Sequence, residues 1–288
     1  MLTTKLLMLT PKERKKIILA LEEDMGFCDI TTEYLELEEN VRAQIVAKSS
    51  GIIAGVEEAC FAFEYLGAKP KALKNDGGVI RKGDIVIEVE GNAKAILAAE
   101  RTALNFLMRM SGIATAAKEA LKEARKANPN IIVVETRKGT PCFINFEKKA
   151  VRIAVGNTHR FGLDDCVLIK DNHIAILGLE EAIRRAKRNA SFTKKIEVEV
   201  NSVKQAINAA KLGVDIIMLD NMKPSEIREV IRNLKKLGLK KRIILEASGG
   251  ITIENIRKYS KTGVDVVSLG YITHSAKSLD FSLKILTT

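Results

Sequence analysis

The chain has 288 residues, 46% of them hydrophobic and 29% charged, and its 47 Lys and Arg against 36 Asp and Glu leave a net charge of +11. The apolar share is ordinary for a globular protein and excludes a disordered, collagen-like or low-complexity chain, while no apolar run nears the ~18 residues of a membrane-spanning helix. Aromatic residues are only 5% and Trp is absent; with no basic helix interleaved with stacking residues, a nucleic-acid partner for the excess charge is disfavoured.

Met1 to Leu9 holds one Lys, a short apolar patch and no small-residue cleavage site, so no signal peptide is expected. Thr10-Pro11-Lys12-Glu13 then reads as an N-cap, a Pro at the first helical position and a Glu completing a capping box. The spacing predicts an amphipathic helix over 10–24, β structure over 42–56 and 77–91, and long helices over 93–127. Asp76-Gly77-Gly78 and Lys82-Gly83-Asp84 supply the turns of the second β region. Cys28, Cys60, Cys142 and Cys166 are scattered, with no C-x-x-C pair, and read as free thiols of a reducing cytoplasm.

Beyond this α+β portion the chain becomes periodic. Six β-branched runs, at 131–134, 167–169, 196–200, 216–219, 243–245 and 266–269, alternate with helix-like segments at 179–189, 203–212, 225–237 and 253–261. The long interval after the first run leaves room for a further strand at 151–155. Such repeated β–α units predict an α/β barrel, complete or not, rather than an open sheet.

Polar clusters follow the runs: Glu135-Thr136-Arg137-Lys138, Lys170-Asp171-Asn172-His173, Glu197 with Glu199, Asp220-Asn221, Glu246-Ala247-Ser248-Gly249-Gly250 and Gly270-Tyr271-Ile272-Thr273-His274. In β/α barrels the active site is assembled on that face from several strands. Arg137, Lys138, His159, Arg160 and Lys170, with Arg152 nearby in sequence, form a cationic set suited to carboxylates and phosphates. Glu199 and Asp220, with Glu246 as a third candidate, suit either Mg²⁺ bridging to substrate phosphates or salt bridges to those cations; spacing does not decide between the two. Ser248-Gly249-Gly250 and Gly270, followed by His274, fit a backbone phosphate cradle. No zinc-binding spacing and no nucleophile elbow occurs. The residues alone therefore describe a pocket for a polyanionic, phosphate-bearing substrate.

Several ordered motifs resemble the quinolinate phosphoribosyltransferase family. They are Asp29-Ile30-Thr31-Thr32, Glu100-Arg101-Thr102-Ala103-Leu104-Asn105, Ser111-Gly112-Ile113-Ala114-Thr115 and Glu135-Thr136-Arg137-Lys138-Gly139-Thr140-Pro141. Further on come Glu147-Lys148, Ala150-Val151-Arg152, His159-Arg160-Phe161-Gly162-Leu163-Asp164-Asp165 and Leu168-Ile169-Lys170-Asp171-Asn172-His173. Glu197-Val198-Glu199-Val200, Leu219-Asp220-Asn221-Met222, Glu246-Ala247-Ser248-Gly249-Gly250-Ile251 and Thr273-His274-Ser275 complete the set. Two stretches depart from the family pattern: Ala154-Val155-Gly156-Asn157-Thr158 stands where a triple glycine is usual, and Pro141-Cys142-Phe143-Ile144 where Pro-Gly-Leu-Arg is common. The related ModD-like proteins share the Thr-Arg-Lys and His-Arg motifs and act on a different acid, whereas Lys170-Asp171-Asn172-His173 speaks for the quinolinate enzymes.

The resemblance implies an N-terminal α/β sandwich domain over 1–112, completed by 276–288, and an incomplete α/β barrel over 113–275. It implies transfer of phosphoribosyl from phosphoribosyl pyrophosphate to quinolinate with decarboxylation, in a cytoplasmic homodimer or a hexamer assembled from dimers. Arg137, His159 and Arg160, with Lys138 and Lys170, would hold the quinolinate carboxylates, Arg101 would reach in from the other subunit, and Thr136 would be a further substrate-binding residue. Lys138, Lys170, Glu199 and Asp220 would be the catalytic set, with Glu199 and Asp220 serving the ribose and Mg²⁺. Ser248, Gly249, Gly250, Gly270 and His274 would cradle the 5′-phosphate.

Overall fold

A computed structural model describes residues 8–286. The opening stretch weighed against a signal peptide lies, through residue 7, outside these residues, as do the last two residues of the 276–288 segment.

In chain order the elements are α1 (Pro11–Met25), α2 (Ile30–Tyr34), β1 (Asn40–Ala47), β2 (Gly51–Ile52), α3 (Val56–Tyr65), β3 (Lys69–Ala72), β4 (Val79–Ile80), β5 (Ile85–Asn92) and α4 (Ala93–Arg125). Next come β6 (Ile132–Glu135), α5 (Ile144–Val155), β7 (Val167–Ile169), α6 (Asp171–Leu177), α7 (Leu179–Asn189), β8 (Ile196–Val200), α8 (Val203–Lys211) and β9 (Ile216–Asp220). The chain ends with α9 (Pro224–Lys236), β10 (Ile244–Ser248), α10 (Ile256–Ser260), β11 (Val266–Leu269), α11 (Tyr271–His274) and β12 (Phe281–Leu286).

By contact the chain forms two compact units. Among the described residues, one comprises 8–116, the insert Thr140–Gly156 and 276–286; the other comprises Ala117–Gly139 and Asn157–Ser275. The first unit is built on an antiparallel sheet in the order β12-β1-β5-β3, with Ala47 opposite Phe281 and Arg42 opposite Leu286. Helix α1 begins where its capping residues dictate: Thr10 Oγ1 accepts the Glu13 N–H at 3.2 Å, and Glu13 Oε2 accepts the Thr10 N–H at 2.8 Å. The region 93–127, expected to hold several helices, is one 33-residue helix before a turn.

One sequence expectation fails in the insert. The segment 151–155 is the end of α5, not a strand; by contact, 140–156 groups with the first unit. The local alternation Val151-Arg152-Ile153 imitates a strand, but Phe146, Ala150, Val151 and Ala154 continue one buried helical face, and Gly156 closes it at φ 82°. Polar anchoring fixes the insert to its unit. Glu147, fully buried, accepts the Thr140 N–H at 3.0 Å and pairs with Arg109 at 3.1 Å. Lys149 bridges Glu57 at 2.9 Å and the buried Glu58 at 2.8 Å.

The second unit is an all-parallel six-stranded sheet in the order β6-β11-β10-β9-β8-β7. The consecutive strands β6 and β7 form its two edges, and no pairing joins them among the described residues, so this α/β barrel is open. Helices α7, α8 and α9 carry apolar stripes such as Ile227, Val230, Ile231 and Leu234, and pack in succession. None of the helices among the described residues is long and apolar enough to cross a membrane.

Candidate active site

Strand residues two apart share a face, and here that period sorts the barrel interior into two levels. The N-terminal residues Ile132, Ile216, Ile244 and Val266 line a lower cavity of about 490 Å³. Their C-terminal counterparts Thr136, Asp220, Ser248 and Gly270 line an upper cavity of about 680 Å³, the size range of small-ligand sites. On β8 the same step takes Glu197 below and Glu199 above.

Of the residues expected to bind substrate, thirteen converge on the upper cavity. Arg137, Lys138, Arg160 and Lys170 bring the positive charge, with His159 beside them. Glu199 and Asp220 face them, and Thr136, Ser248, Gly249, Gly250, Gly270 and His274 complete the lining. Arg101 is not among these residues; it lies exposed on α4 with Asn105 one turn further. Arg152 is exposed on α5.

Local bonds explain why these side chains hold their places. Lys170 Nζ lies 2.7 Å from Glu199 Oε2, so the two opposite charges hold each other at the rim. The backbone N–H of Lys170 donates to His173 Nδ1 at 2.9 Å as α6 begins. The Thr136 hydroxyl accepts the Lys138 N–H at 3.2 Å, and the buried Thr273 hydroxyl donates to the Lys138 carbonyl at 2.7 Å. Asn221, at φ 52°, donates its N–H to the Ser248 carbonyl at 2.9 Å and its side-chain amide to Asp220 Oδ2 at 2.7 Å. That ties the glycine turn after β10 to the carboxylate ending β9. A Cβ on Gly249 would lie 2.6 Å from Asn221 Cγ and 2.8 Å from its N, so the turn accepts glycine alone. A Cβ on Gly270 would come within 3.0 Å of the His274 ring, which packs against this backbone.

Asn221 and Thr273 were not singled out from sequence, although both lie inside the family motifs. Also missed was a cluster below the rim, where His159, Glu197 and Glu246 bring one ligand-type atom each within 4.8 Å of one another. The signal was present: Glu197 lies two residues before Glu199, and Glu246 two before Ser248, which puts both on the inward face.

Burial pushes the Glu246 carboxyl up to about 7, with His159 opposing and Glu197 adding to the rise. An unfolded glutamate titrates near ~4.3. The folded protein thus holds a proton that the unfolded chain releases, so this contribution to stability is full below that value and is lost as pH rises through about 7. Glu246→Gln, which mimics the protonated form, is expected to gain stability relative to wild type between pH 5 and 8, by up to about 1.4 kcal/mol per pH unit. Parallel melting curves that never converge or cross over this range would contradict the assignment.

An open parallel barrel whose C-terminal rim gathers four cations, two carboxylates and a glycine-built backbone cradle around one cavity is an enzyme site for a polyanionic substrate. The models of the N-terminal and C-terminal domains of quinolinate phosphoribosyl transferase match residues 29–111 and 113–284. The chain belongs to the quinolinate phosphoribosyltransferase family. It is 50% identical over 270 residues to a probable carboxylating nicotinate-nucleotide pyrophosphorylase of Methanocaldococcus jannaschii, covering 92% of this chain and 94% of that one. The corresponding protein of Methanothermobacter thermautotrophicus is 49% identical over 264 residues, 91% of this chain and 95% of its own. The solved nicotinate-nucleotide pyrophosphorylase from Francisella tularensis superposes with a TM-score of 0.89 at 32% identity, over 96% of this chain and 98% of that one.

Proposed function

We propose that the protein transfers the phosphoribosyl group of phosphoribosyl pyrophosphate to quinolinate, forming nicotinate mononucleotide, pyrophosphate and CO₂. The observation that carries this reading is the joint placement of Arg137, Lys138, Arg160 and Lys170 with Glu199, Asp220 and the Ser248-Gly249-Gly250 turn around one cavity. A dicarboxylate and a pyrophosphate ester need those two chemistries side by side.

In this reading the cations clamp the two carboxylates and direct the ring nitrogen at C1 of the ribose. The nitrogen lone pair forms the new N–C1 bond while the C1–O bond breaks and its electron pair leaves on pyrophosphate. Positive charge builds on the ribose ring, and the anionic Glu199 or Asp220 stabilises it. The pyridinium nitrogen then accepts electron density as the adjacent C–CO₂ bond breaks, and the ring carbon takes a proton. Lys138 and Lys170 offset the charge of the departing group. Glu199 and Asp220 are hard oxygen donors on paired neighbouring strands and would hold Mg²⁺, which would supply positive charge to the leaving group. Arg101 is assigned to the cavity of a partner subunit in a homodimer, consistent with its exposure on α4.

Incubation with quinolinate, phosphoribosyl pyrophosphate and Mg²⁺ tests the proposal, with nicotinate mononucleotide and CO₂ expected in equal amounts. Formation of neither, with turnover of another acid, would move the protein to a ModD-like activity.

A further inference from the structure

Among the described residues, three that are not glycine adopt a left-handed backbone, Glu36, Cys142 and Asn221, and of these only Asn221, at φ 52°, lines the upper cavity. Such a conformation costs free energy, persists only where surrounding contacts fix it, and is tolerated by Asn better than by most residues. Its cause lies at the end of β9. The Asn221 N–H donates to the Ser248 carbonyl at 2.9 Å, one step beyond the last ladder pair, Ser248 with Asp220. The chain then leaves the sheet, with Met222 buried and α9 starting at Pro224.

Successive residues of an extended strand point to opposite faces, yet Asp220 and Asn221 both line the upper cavity. The left-handed turn makes this possible by folding the Asn221 amide back onto its own strand end, where Nδ2 donates to Asp220 Oδ2 at 2.7 Å. Among the described residues no other hydrogen bond or ion pair reaches the Asp220 side chain. The amide also packs on Gly249, so closely that a Cβ there would lie 2.6 Å from Asn221 Cγ. The two carboxylates of the cavity are thus restrained differently. Glu199 is paired with the Lys170 ammonium at 2.7 Å, whereas Asp220 is held by a neutral donor. A neutral amide fixes one oxygen without cancelling the charge, and it leaves Oδ1 for a ribose hydroxyl or a cation.

We propose that Asn221 is a positioning residue for phosphoribosyl pyrophosphate: its amide orients Asp220 while leaving the carboxylate fully charged, and its left-handed backbone is kept because it aims that amide. The inference rests on the proposed reaction for the identity of the ligand and on the end of β9 for its geometry. The rival role is conformational, with Asn present only as a residue that tolerates φ 52°. Glycine separates the two roles, because it takes that backbone without a Cβ and carries no donor.

Calorimetric titration of the full-length protein with phosphoribosyl pyrophosphate and Mg²⁺, without quinolinate so that no turnover intervenes, tests it alongside melting curves. Asn221→Gly is expected to weaken binding at least about 10-fold, the loss of one hydrogen bond to a charged group, while its melting temperature stays close to wild type. Asn221→Ala should lose as much affinity and melt lower, because alanine resists a positive φ. Wild-type affinity in Asn221→Gly, with the loss confined to Asn221→Ala, would mean that only the backbone conformation matters and overturns the proposal. In steady state the KM for quinolinate should stay within about threefold of wild type in Asn221→Gly; equal rises for both substrates would mean general distortion of the cavity and count equally against it. A readout free of any ligand is the crystal structure of Asn221→Gly, in which the Asp220 carboxylate should turn from its wild-type position. Weakened binding with that carboxylate unmoved would make Asn221 a direct ligand contact and end the positioning role. If wild type itself fails to bind phosphoribosyl pyrophosphate, the reading of the reaction falls, and the carboxylate position in Asn221→Gly still decides whether Asn221 orients Asp220. If wild type binds it and Asn221→Gly binds as tightly, that reading stands and this inference falls.

Discussion

Gly249→Ala is expected to lower kcat/KM for phosphoribosyl pyrophosphate by about 100-fold or more, the scale seen when a backbone donor is lost from a charge-binding site. Two separate physical terms contribute. The backbone at Gly249 sits at φ +89°, a region that costs an L-residue roughly 1–2 kcal/mol. The added Cβ would also overlap Asn221 Cγ at 2.6 Å and its backbone N at 2.8 Å. Asn221 cannot simply withdraw, because its N–H holds the Ser248 carbonyl and its amide holds Asp220. The displacement therefore reaches both the proposed phosphate cradle and the carboxylate opposite. Gly250→Ala is the internal control. Gly250 also has a positive φ, 61°, but nothing lies within 4 Å of its would-be Cβ. It should show only the backbone cost, read as a modest fall in melting temperature with KM within a fewfold of wild type. Equal kinetic losses in the two variants would mean that the turn acts through its backbone conformation alone and that the Asn221 contact is irrelevant.

The parallel sheet was legible because each strand is a short β-branched run buried on both faces, which composition reveals without knowledge of partners. The runs at 167–169, 196–200 and 266–269 coincide with β7, β8 and β11. Two features were not readable from sequence alone. Strand order is long-range information, so the opening between β6 and β7 needed the pairing itself. The segment 151–155 was misread because the short alternation Val151-Arg152-Ile153 fits either period, and the partners that hold Lys149 on the same helix, Glu57 and Glu58, lie about ninety residues away in the chain. The site followed the same division. Its upper rim was legible because the polar clusters fall at strand ends, where a barrel face needs no partner to identify it. The carboxylates below it were not, because Glu135 and Glu246 look like rim residues until the strand register places them inside. Cys142 is instructive in a different way. It stands where the family commonly has Gly and keeps a left-handed backbone, φ 63°, so the turn is retained at the cost of strain despite the changed residue.

Lys170→Ala is expected to lower kcat/KM by about 100-fold with either substrate varied, and Glu199→Gln by a similar factor, each within the range for a lost charged hydrogen bond in a site. The pair Lys170–Glu199 at 2.7 Å joins a proposed acid-binding cation to a proposed ribose-binding carboxylate, so each variant removes a charge and releases its partner. Lys170 is 45% exposed on its side chain and Glu199 14%, which leaves the resting ion pair little net weight in stability and shifts its value to the loaded cavity. Melting temperatures of both variants should accordingly stay close to wild type. The double variant separates the two roles: if each residue's main task is to hold the other, its loss will match one single variant, whereas independent contacts to the two substrates make the losses multiply, towards about 10⁴-fold. The geometry favours an intermediate result of about 10³-fold, because the single ion-pair contact leaves Lys170 two further donors and Glu199 its second oxygen for substrate. By contrast Arg137, which pairs with no cavity carboxylate among the described residues, should on replacement by Ala affect quinolinate binding alone. A fall in affinity for phosphoribosyl pyrophosphate in that variant would place Arg137 on the wrong substrate.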